Sequence, residues 1–398
     1  MPKREVPVAG ARKRKVMHVL TDTNIGGAGT LLYNTIACGD REKFSWVVVL
    51  PRGSRLTERL HNLPCRVIEI SGGRDRSSDV GSFFEYCRVI RQEEPDILHT
   101  HAALTARLAG RACGVPVCVQ TRHCVFPLKP YQKNPVFRAA FRTGTHLLSD
   151  GVVAVAEAAR ENLAALGLPR EDVRVIVNGV LPVRECPEEE LTAVRERRGI
   201  EPGDFVVGMS ARLEEYKGQL TVLEAAAQCL RQAENFRFIF LGDGSCRERY
   251  ERRARELQIE NRVIFTGFVA DPAPYYTLMD VNVNASSGTE TSSLALSEGM
   301  SVGVPCVASA YGGNPKMVRD GVNGLLFPTG DADALAEALL RLHGDEAFRR
   351  KLSEGARAWY QERLTAPAMV RQLEAFYLDQ LEAKAHPRGG GRVLPHEN

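Results

Sequence analysis

Two glutamates, Glu290 and Glu298, lie eight residues apart in the stretch Ser287-Gly288-Thr289-Glu290-Thr291-Ser292-Ser293-Leu294-Ala295-Leu296-Ser297-Glu298-Gly299. The small, hydroxyl-rich residues between them read as the start of a helix. The first backbone N–H groups of a helix have no intrahelical partner and are available to an anion. One carboxylate before that start and one inside the helix can accept hydrogen bonds from hydroxyls on either side of the anion. A phosphate flanked by sugar hydroxyls is the chemistry of a nucleotide sugar.

Cationic residues that would complement such a ligand occur upstream, in Ser210-Ala211-Arg212-Leu213-Glu214-Glu215-Tyr216-Lys217-Gly218. Arg212 can fork onto phosphate oxygens and Lys217 supplies a compact charge, a pairing suited to a diphosphate. Near the N-terminus, Asn24-Ile25-Gly26-Gly27-Ala28-Gly29-Thr30 would let backbone approach a phosphate or sugar closely. It is not a Gly-x-Gly-x-x-Gly turn, and no acidic residue ends the next strand at Val49-Leu50-Pro51, which argues against a dinucleotide site. Histidines follow two expected strands, as His99-Thr100-His101 and Thr121-Arg122-His123. His123 is the candidate for the reaction centre. A metal at His99 and His101 lacks carboxylates or thiols at useful spacing. The turn Gly242-Asp243-Gly244 reads equally well as a ligand contact or as tight backbone packing, and Gly267-Phe268-Val269 is placed to read a base. The one Asp-x-Asp, Asp331-Ala332-Asp333, reads as a helix cap and not as a metal site.

These residues need a scaffold that brings strand ends together. Apolar, β-branched runs at 16–21, 45–50, 66–70, 96–100, 117–121 and 152–155 alternate with helical patterns such as 80–93 and 104–113. The rhythm repeats at 205–210, 237–241, 262–266, 281–284 and 305–308, with helical patterns at 219–232 and 247–258. Strand–helix alternation implies parallel sheets. The expected class is α/β, with two Rossmann-like doubly wound domains facing across a cleft and ligands at the carboxyl ends of both sheets. The expected division is a basic, disordered tail over 1–15, a first domain over 16–182, a second over 188–365, a helix over 366–385, and a disordered tail over 386–398.

The chain of 398 residues carries 52 Lys+Arg against 49 Asp+Glu. Through Val180 there are 26 basic and 17 acidic side chains, and beyond it 26 and 32. A basic first half fits an anionic partner, such as lipid headgroups or a phosphorylated acceptor. The segment Phe126-Pro127-Leu128-Lys129-Pro130-Tyr131-Gln132-Lys133, continuing to Arg138 and Arg142, interleaves aromatic and basic residues as a membrane-surface element does. No apolar run approaches the roughly 20 residues of a membrane span, and no secretory signal is evident. Ten cysteines without paired spacing point to reduced thiols and a cytoplasmic protein, at most peripheral to a membrane. No nucleic-acid-binding module is recognisable.

Taken together, Gly26-Gly27, His123, Asn178-Gly179-Val180, Arg212, Lys217-Gly218, Gly242-Asp243-Gly244, Glu290 to Glu298 and Gly312-Gly313 resemble the retaining glycosyltransferases of family four, which have the GT-B fold. The resemblance spans residues 16 to 385. It implies that Glu290 binds donor-sugar hydroxyls, Glu298 the ribose, Arg212 and Lys217 the leaving diphosphate, and His123 the reaction centre. Gly27 would approach the phosphates, and the C-terminal helix would cross back to the first domain. No cofactor or metal is expected; the donor is a UDP-sugar, with a GDP-sugar as alternative, and the acceptor a sugar or a lipid-linked sugar. Leu181 stands where the family often has an acidic residue, and Thr291-Ser292 where a small residue and an aromatic often follow the first glutamate. A nucleotide-sugar epimerase or phosphorylase of the same fold, and a non-catalytic membrane- or partner-binding subunit, are the alternatives.

Overall fold

The computed structural model describes residues 12–74 and 78–386. The expected tails therefore lie mostly outside the described residues. Arg14 and Lys15, expected in the N-terminal tail, belong to the first strand.

Two all-parallel sheets carry the molecule. The first contains β1 (Arg14–Leu20), β2 (Phe44–Pro51), β3 (Cys65–Ile70), β4 (Ile97–His101), β5 (Val117–Arg122), β6 (Gly151–Ala154) and β7 (Val173–Val175), in the order β3-β2-β1-β4-β5-β6-β7. The second contains β8 (Phe205–Ser210), β9 (Phe236–Leu241), β10 (Val263–Gly267), β11 (Val281–Asn284), β12 (Cys306–Ser309) and β13 (Gly324–Phe327), in the order β10-β9-β8-β11-β12-β13. The order reverses direction beside β1 in one sheet and beside β8 in the other. Both candidate loops, after β1 and after β8, thus open at a topological switch point.

The strands are short and largely buried along their length because helices cover both faces. Val16, Val48, Ile97, Val117 and Val119 form one side of the first core, and Met17, Val47, Val49, Leu98 and Cys118 the other. Phe205, Phe236, Phe238, Phe240, Val281 and Val307 fill the second. β7 and β13 are not among the expected strands: β7 spans three residues with Arg174 at its centre, and the four residues of β13 begin at the end of a glycine-rich turn region, Asp320 to Gly324.

The helix Ala366–Ala385 follows the second sheet but packs on the first. Its Met369, Val370, Leu373, Phe376 and Tyr377 join the cluster of Val16, Ile97 and Val119. Glu374 accepts a hydrogen bond from the backbone N–H of Asp40 (2.7 Å), and Lys384 reaches Asp150 at 2.7 Å. The turn at Asn178-Gly179-Val180 lies under this crossing. Val180 pairs with Thr365, Tyr360 donates its hydroxyl to the Val180 carbonyl, and Asn34 donates to the Gly179 carbonyl.

Candidate active site

The loop after β11 carries the first glutamate. Glu290 is buried, 6 % exposed, and three donors converge on its Oε2: Lys217 Nζ at 2.9 Å, Ser286 Oγ at 2.8 Å and Asn284 Nδ2 at 3.2 Å. Burial pushes its carboxyl up, but the Lys217 charge and the hydrogen bonds from Lys217, Ser286 and Asn284 outweigh that and hold it below the ordinary glutamate value. It is a charged acceptor at neutral pH. Thr289, just before it, adopts φ 53°, a left-handed backbone that a β-branched residue takes only when its surroundings impose it. One such constraint is a close crossing with the next loop. A Cβ on Gly313 would lie 1.4 Å from the Thr291 carbonyl oxygen, so only glycine lets these two segments touch.

The helix begins where the hydroxyl-rich sequence indicated. Ser293 caps Leu294–Ser301 by accepting the N–H of Leu296 at 3.3 Å, and Ser293 also receives Asn284 Nδ2 at 3.0 Å. Glu298 sits on the second turn, where Tyr276 donates its hydroxyl to Oε2 at 2.8 Å. Burial raises the Glu298 carboxyl, and the Tyr276 hydrogen bond and the charge of Arg59 only partly reverse this. The two glutamates flank one helix start as expected, but they are electrostatically unlike: one is held ionised by a lysine, the other is biased toward its proton.

The loop after β8 positions the cations. Gly218 takes φ +80°, and a Cβ there would lie 2.1 Å from the Ala285 carbonyl oxygen; this tight crossing aims Lys217 at Glu290. Arg212 is exposed and donates to the Tyr216 hydroxyl at 2.6 Å, while Gln219 holds the Arg212 carbonyl at 2.8 Å. Lys217 and Arg212 also lie over the Tyr216 ring at 5.5 and 6.0 Å. The Gly242-Asp243-Gly244 turn packs tightly against the Arg212 loop. Added Cβ atoms at Gly242 and Gly244 would meet the carbonyls of Ala211 and Leu213, and the Asp243 carbonyl accepts the N–H of Leu213. It supports the Arg212 loop from behind. Phe268 is 68 % exposed beyond β10. Asp331 caps the helix Ala332–Gly344 by accepting the N–H of Ala334, and Asp333 accepts Gln228, so this Asp-x-Asp is committed to helix packing.

The first domain meets this site through two loops. Gly26 caps the helix Gly27–Cys38, and a Cβ on Gly27 would lie 3.9 Å from Leu294 at the start of the glutamate helix. The carbonyl of His123 accepts the Thr291 hydroxyl at 2.8 Å. His123, Glu290, Lys217, Gly27 and the Ser293 cap therefore surround one region of the cleft. The His123 ring is neutral: burial, with a smaller contribution from Arg122, pulls its pKa down to about 4. Its Nε2 lies 2.8 Å from His101 Nδ1. His99 is buried between Tyr377 Oη (2.5 Å) and Thr121 Oγ1 (2.6 Å), with its ring stacked on that of His101. His18 adds a third buried ring, and one nitrogen from each of His18, His99 and His101 falls within 4.8 Å of the others.

Residues 25–184 match the family model for Glycosyltransferase Family 4, and residues 192–359 match that for Glycosyl transferases group 1. The chain belongs to the family-four glycosyltransferases. It is 26 % identical over 307 residues to N-acetyl-alpha-D-glucosaminyl L-malate synthase of Bacillus anthracis, covering 76 % of this chain and 80 % of that protein. It is 24 % identical over 399 residues to the UDP-Gal:alpha-D-GlcNAc-diphosphoundecaprenol alpha-1,3-galactosyltransferase of Escherichia coli, covering 94 % and 98 %. In fold it is similar to HepE of Anabaena, solved with UDP and glucose, with a TM-score of 0.78 at 23 % identity over 92 % of this chain and 100 % of that one. A glycosyltransferase of Rickettsia africae superposes with a TM-score of 0.79 at 19 % identity, over 94 % and 100 %.

Several side chains of this family-four site went unnoticed in the sequence. Asn284 and Ser286 hold Glu290, Tyr276 holds Glu298, and Tyr216 carries Arg212. Asn284 had a readable signal, since an asparagine ending the run Val281-Asn282-Val283-Asn284 is a polar group in a strand buried throughout. Tyr276 had none: it lies 22 residues before Glu298, in a separate helix (Ala273–Leu278).

Proposed function

We propose that this glycosyltransferase moves a sugar from a UDP-sugar to a hydroxyl of a sugar or lipid-linked acceptor with retention of anomeric configuration, in cell-surface polysaccharide or glycolipid synthesis. The observation that carries the reading is the Lys217–Glu290 pair at the capped start of the helix Leu294–Ser301. The ionised Glu290 accepts hydroxyls of the donor sugar. The helix start and the cations Lys217 and Arg212 face the diphosphate, and Glu298 on the next turn accepts the ribose hydroxyls. In the transition state positive charge grows on the anomeric carbon and negative charge on the leaving diphosphate. Fixed donors and cations that face the second charge in a closed cleft lower the barrier without reorganising at that moment. Gly26 and Gly27 let the first domain close over the phosphates, and no metal is needed for charge neutralisation in this arrangement. The test is thermal shift against UDP, GDP and ADP, followed by turnover of the matching sugars. A UDP response lost in Glu298→Ala supports the reading; stabilisation by GDP alone moves the donor to a GDP-sugar, and no response to any of the three defeats it.

A second feature concerns where the acceptor is met. Among the described residues no helix is long and apolar enough to cross a membrane. The helix Pro135–Leu148 and the segment before it instead expose Phe126, Tyr131, Val136 and Leu147 beside Lys129, Lys133, Arg138 and Arg142. We read this face as a peripheral contact with an anionic membrane on the cytoplasmic side, where ten unpaired thiols are at home. Sedimentation with phosphatidylglycerol vesicles, lost in a Lys129→Glu, Lys133→Glu, Arg138→Glu variant, checks it; equal sedimentation of both proteins refutes it.

A further inference from the structure

The histidines of the first sheet form a connected row that donor binding leaves unexplained. His18 on β1 and His101 on β4 are fully buried neighbours, with rings stacked at 5.3 Å and 15°. His18 Nδ1 lies 3.0 Å from His101 Nε2, and His101 Nδ1 lies 2.8 Å from His123 Nε2. The row thus runs from the core to the cleft, ending on the residue whose carbonyl touches Thr291.

The protons on this row can be placed. Burial lowers the His18 pKa to about 3 and the His123 pKa to about 4, and lowers His101 well below its ordinary value. All three rings are neutral at pH 7, so each carries one N–H. Each nitrogen–nitrogen contact needs one donor and one acceptor. The direction is set at the buried end, where His18 Nε2 has no partner. An orphaned buried N–H is rarer in proteins than an unused lone pair. His18 Nε2 is therefore bare and its proton is on Nδ1. That N–H donates to His101 Nε2, which places the His101 proton on Nδ1. His101 in turn donates to His123 Nε2, and the His123 proton is left on Nδ1. His123 Nδ1 has no hydrogen bond among the described residues and is not shut away from solvent.

A metal is the competing use of the cluster. His99 already contacts two hydroxyls through its two nitrogens, and His18 and His101 face each other, so occupancy would break this network.

We propose that His18 and His101 are positioning residues that lock His123 as the Nδ1–H tautomer, so that a neutral imidazole donates a hydrogen bond from Nδ1 to an oxygen of the donor sugar. The identity of that oxygen rests on the donor reading above; the tautomer does not. His123 is then neither a base nor a cation in the reaction. Ring orientation and tautomer are governed in the same way wherever the second nitrogen of a functional histidine is held by a fixed partner.

The experiment is nitrogen-15 NMR of the histidine side chains in the full-length protein without ligand, with resonances assigned by single substitutions. The expected result is a protonated, pyrrole-type Nδ1 and a bare, pyridine-type Nε2 for His18, His101 and His123, unchanged from pH 6 to 8. His101→Leu should mix the His123 tautomers and lower kcat about 10–100-fold, by analogy with lost hydrogen-bond partners of metal-bound histidines. His101→Asn, whose amide N–H replaces Nδ1–H, should recover most of that loss. An Nε2–H tautomer of His123 in the unaltered protein overturns the proposal, as does stoichiometric zinc bound at these rings after purification. Equal activity of the Leu variant overturns it as well. The tautomer is read without substrate, so the expected spectrum in a protein that turns over no nucleotide sugar would refute the donor reading and leave the relay standing.

Discussion

Lys217 Nζ lies 2.9 Å from Glu290 Oε2, and both groups are largely withdrawn from solvent. The pair joins the loop after β8 to the loop after β11, and each member sets the charge of the other's surroundings. Lys217→Ala should therefore act twice. Loss of a fixed cation facing the leaving group should lower kcat about 10²–10³-fold, the scale seen when a single such donor is removed. The buried carboxylate left behind should also lower stability by about 3–5 kcal/mol at neutral pH. Steady-state kinetics and urea unfolding of the same variant check the two effects.

The pH dependence of stability should differ in sign between the two glutamates. Glu290 has a folded pKa below its unfolded value, so it contributes stability that is full above the ordinary glutamate pKa of 4.5 and disappears as pH falls through the lowered value. Glu298 has a folded pKa above its unfolded value, so the fold holds its proton more tightly than the unfolded chain does. Its contribution therefore weakens stability as pH rises through that interval. Without ligand at pH 7, Glu290→Gln should melt lower than the parent and Glu298→Gln at the same temperature or higher. Thermal melts from pH 4 to 8 test the pair, and a lower melt for Glu298→Gln at pH 7 would contradict the assignment.

Gly313→Ala should damage the site more than its size suggests. The new methyl would lie 1.4 Å from the Thr291 carbonyl oxygen, and the loop carrying Glu290 must move to admit it. Gly330→Ala is the comparison for backbone strain without a clash: Gly330 has positive φ but an added Cβ meets nothing within 4 Å, whereas Gly313 has an ordinary φ of −85° and only the clash. Expected is a loss of about 1 kcal/mol for Gly330→Ala with nucleotide affinity kept, from backbone strain alone. For Gly313→Ala the expected result is a larger loss together with weaker UDP binding. Calorimetry with UDP separates them.

Truncation after Thr365 should unfold the first domain and spare the second. The removed helix supplies Met369, Val370, Leu373, Phe376 and Tyr377 to the first core and makes one of its faces dry. The second core is built without it. Limited proteolysis should leave a resistant fragment covering the second sheet and degrade the first. Protection of both would show that the first domain closes its core by other means.

Much of the molecule was legible before any coordinates. Both glutamates, Arg212, Lys217, Gly27 and His123 were marked by type and by their position at strand ends, and parallel doubly wound sheets bring strand ends to one side by construction. Eleven of the strands show as short runs rich in apolar and β-branched residues, because a strand covered on both faces favours them. The edge strands β7 and β13 are not among them, because β7 is three residues centred on an arginine and the apolar run of β13 reads as part of the glycine-rich turns before it; the first 3₁₀ turn at Val80–Ser82 hides inside a pattern that reads as continuous helix to Glu93.

The sequence by itself determined which residues could form the site, because residue type and distance from a strand end are local properties. Tertiary structure decided what each of them is. Glu290 is ionised because Lys217, 73 residues away, reaches it with Ser286 and Asn284, and Glu298 is not held in the same way because its close partner is a tyrosine. Gly242 and Gly244 pack behind the Arg212 loop, and His99 is engaged by Tyr377, 278 residues along the chain. Charge state and hydrogen-bond direction depend on burial and on partners brought together by folding, and no spacing along the chain encodes them.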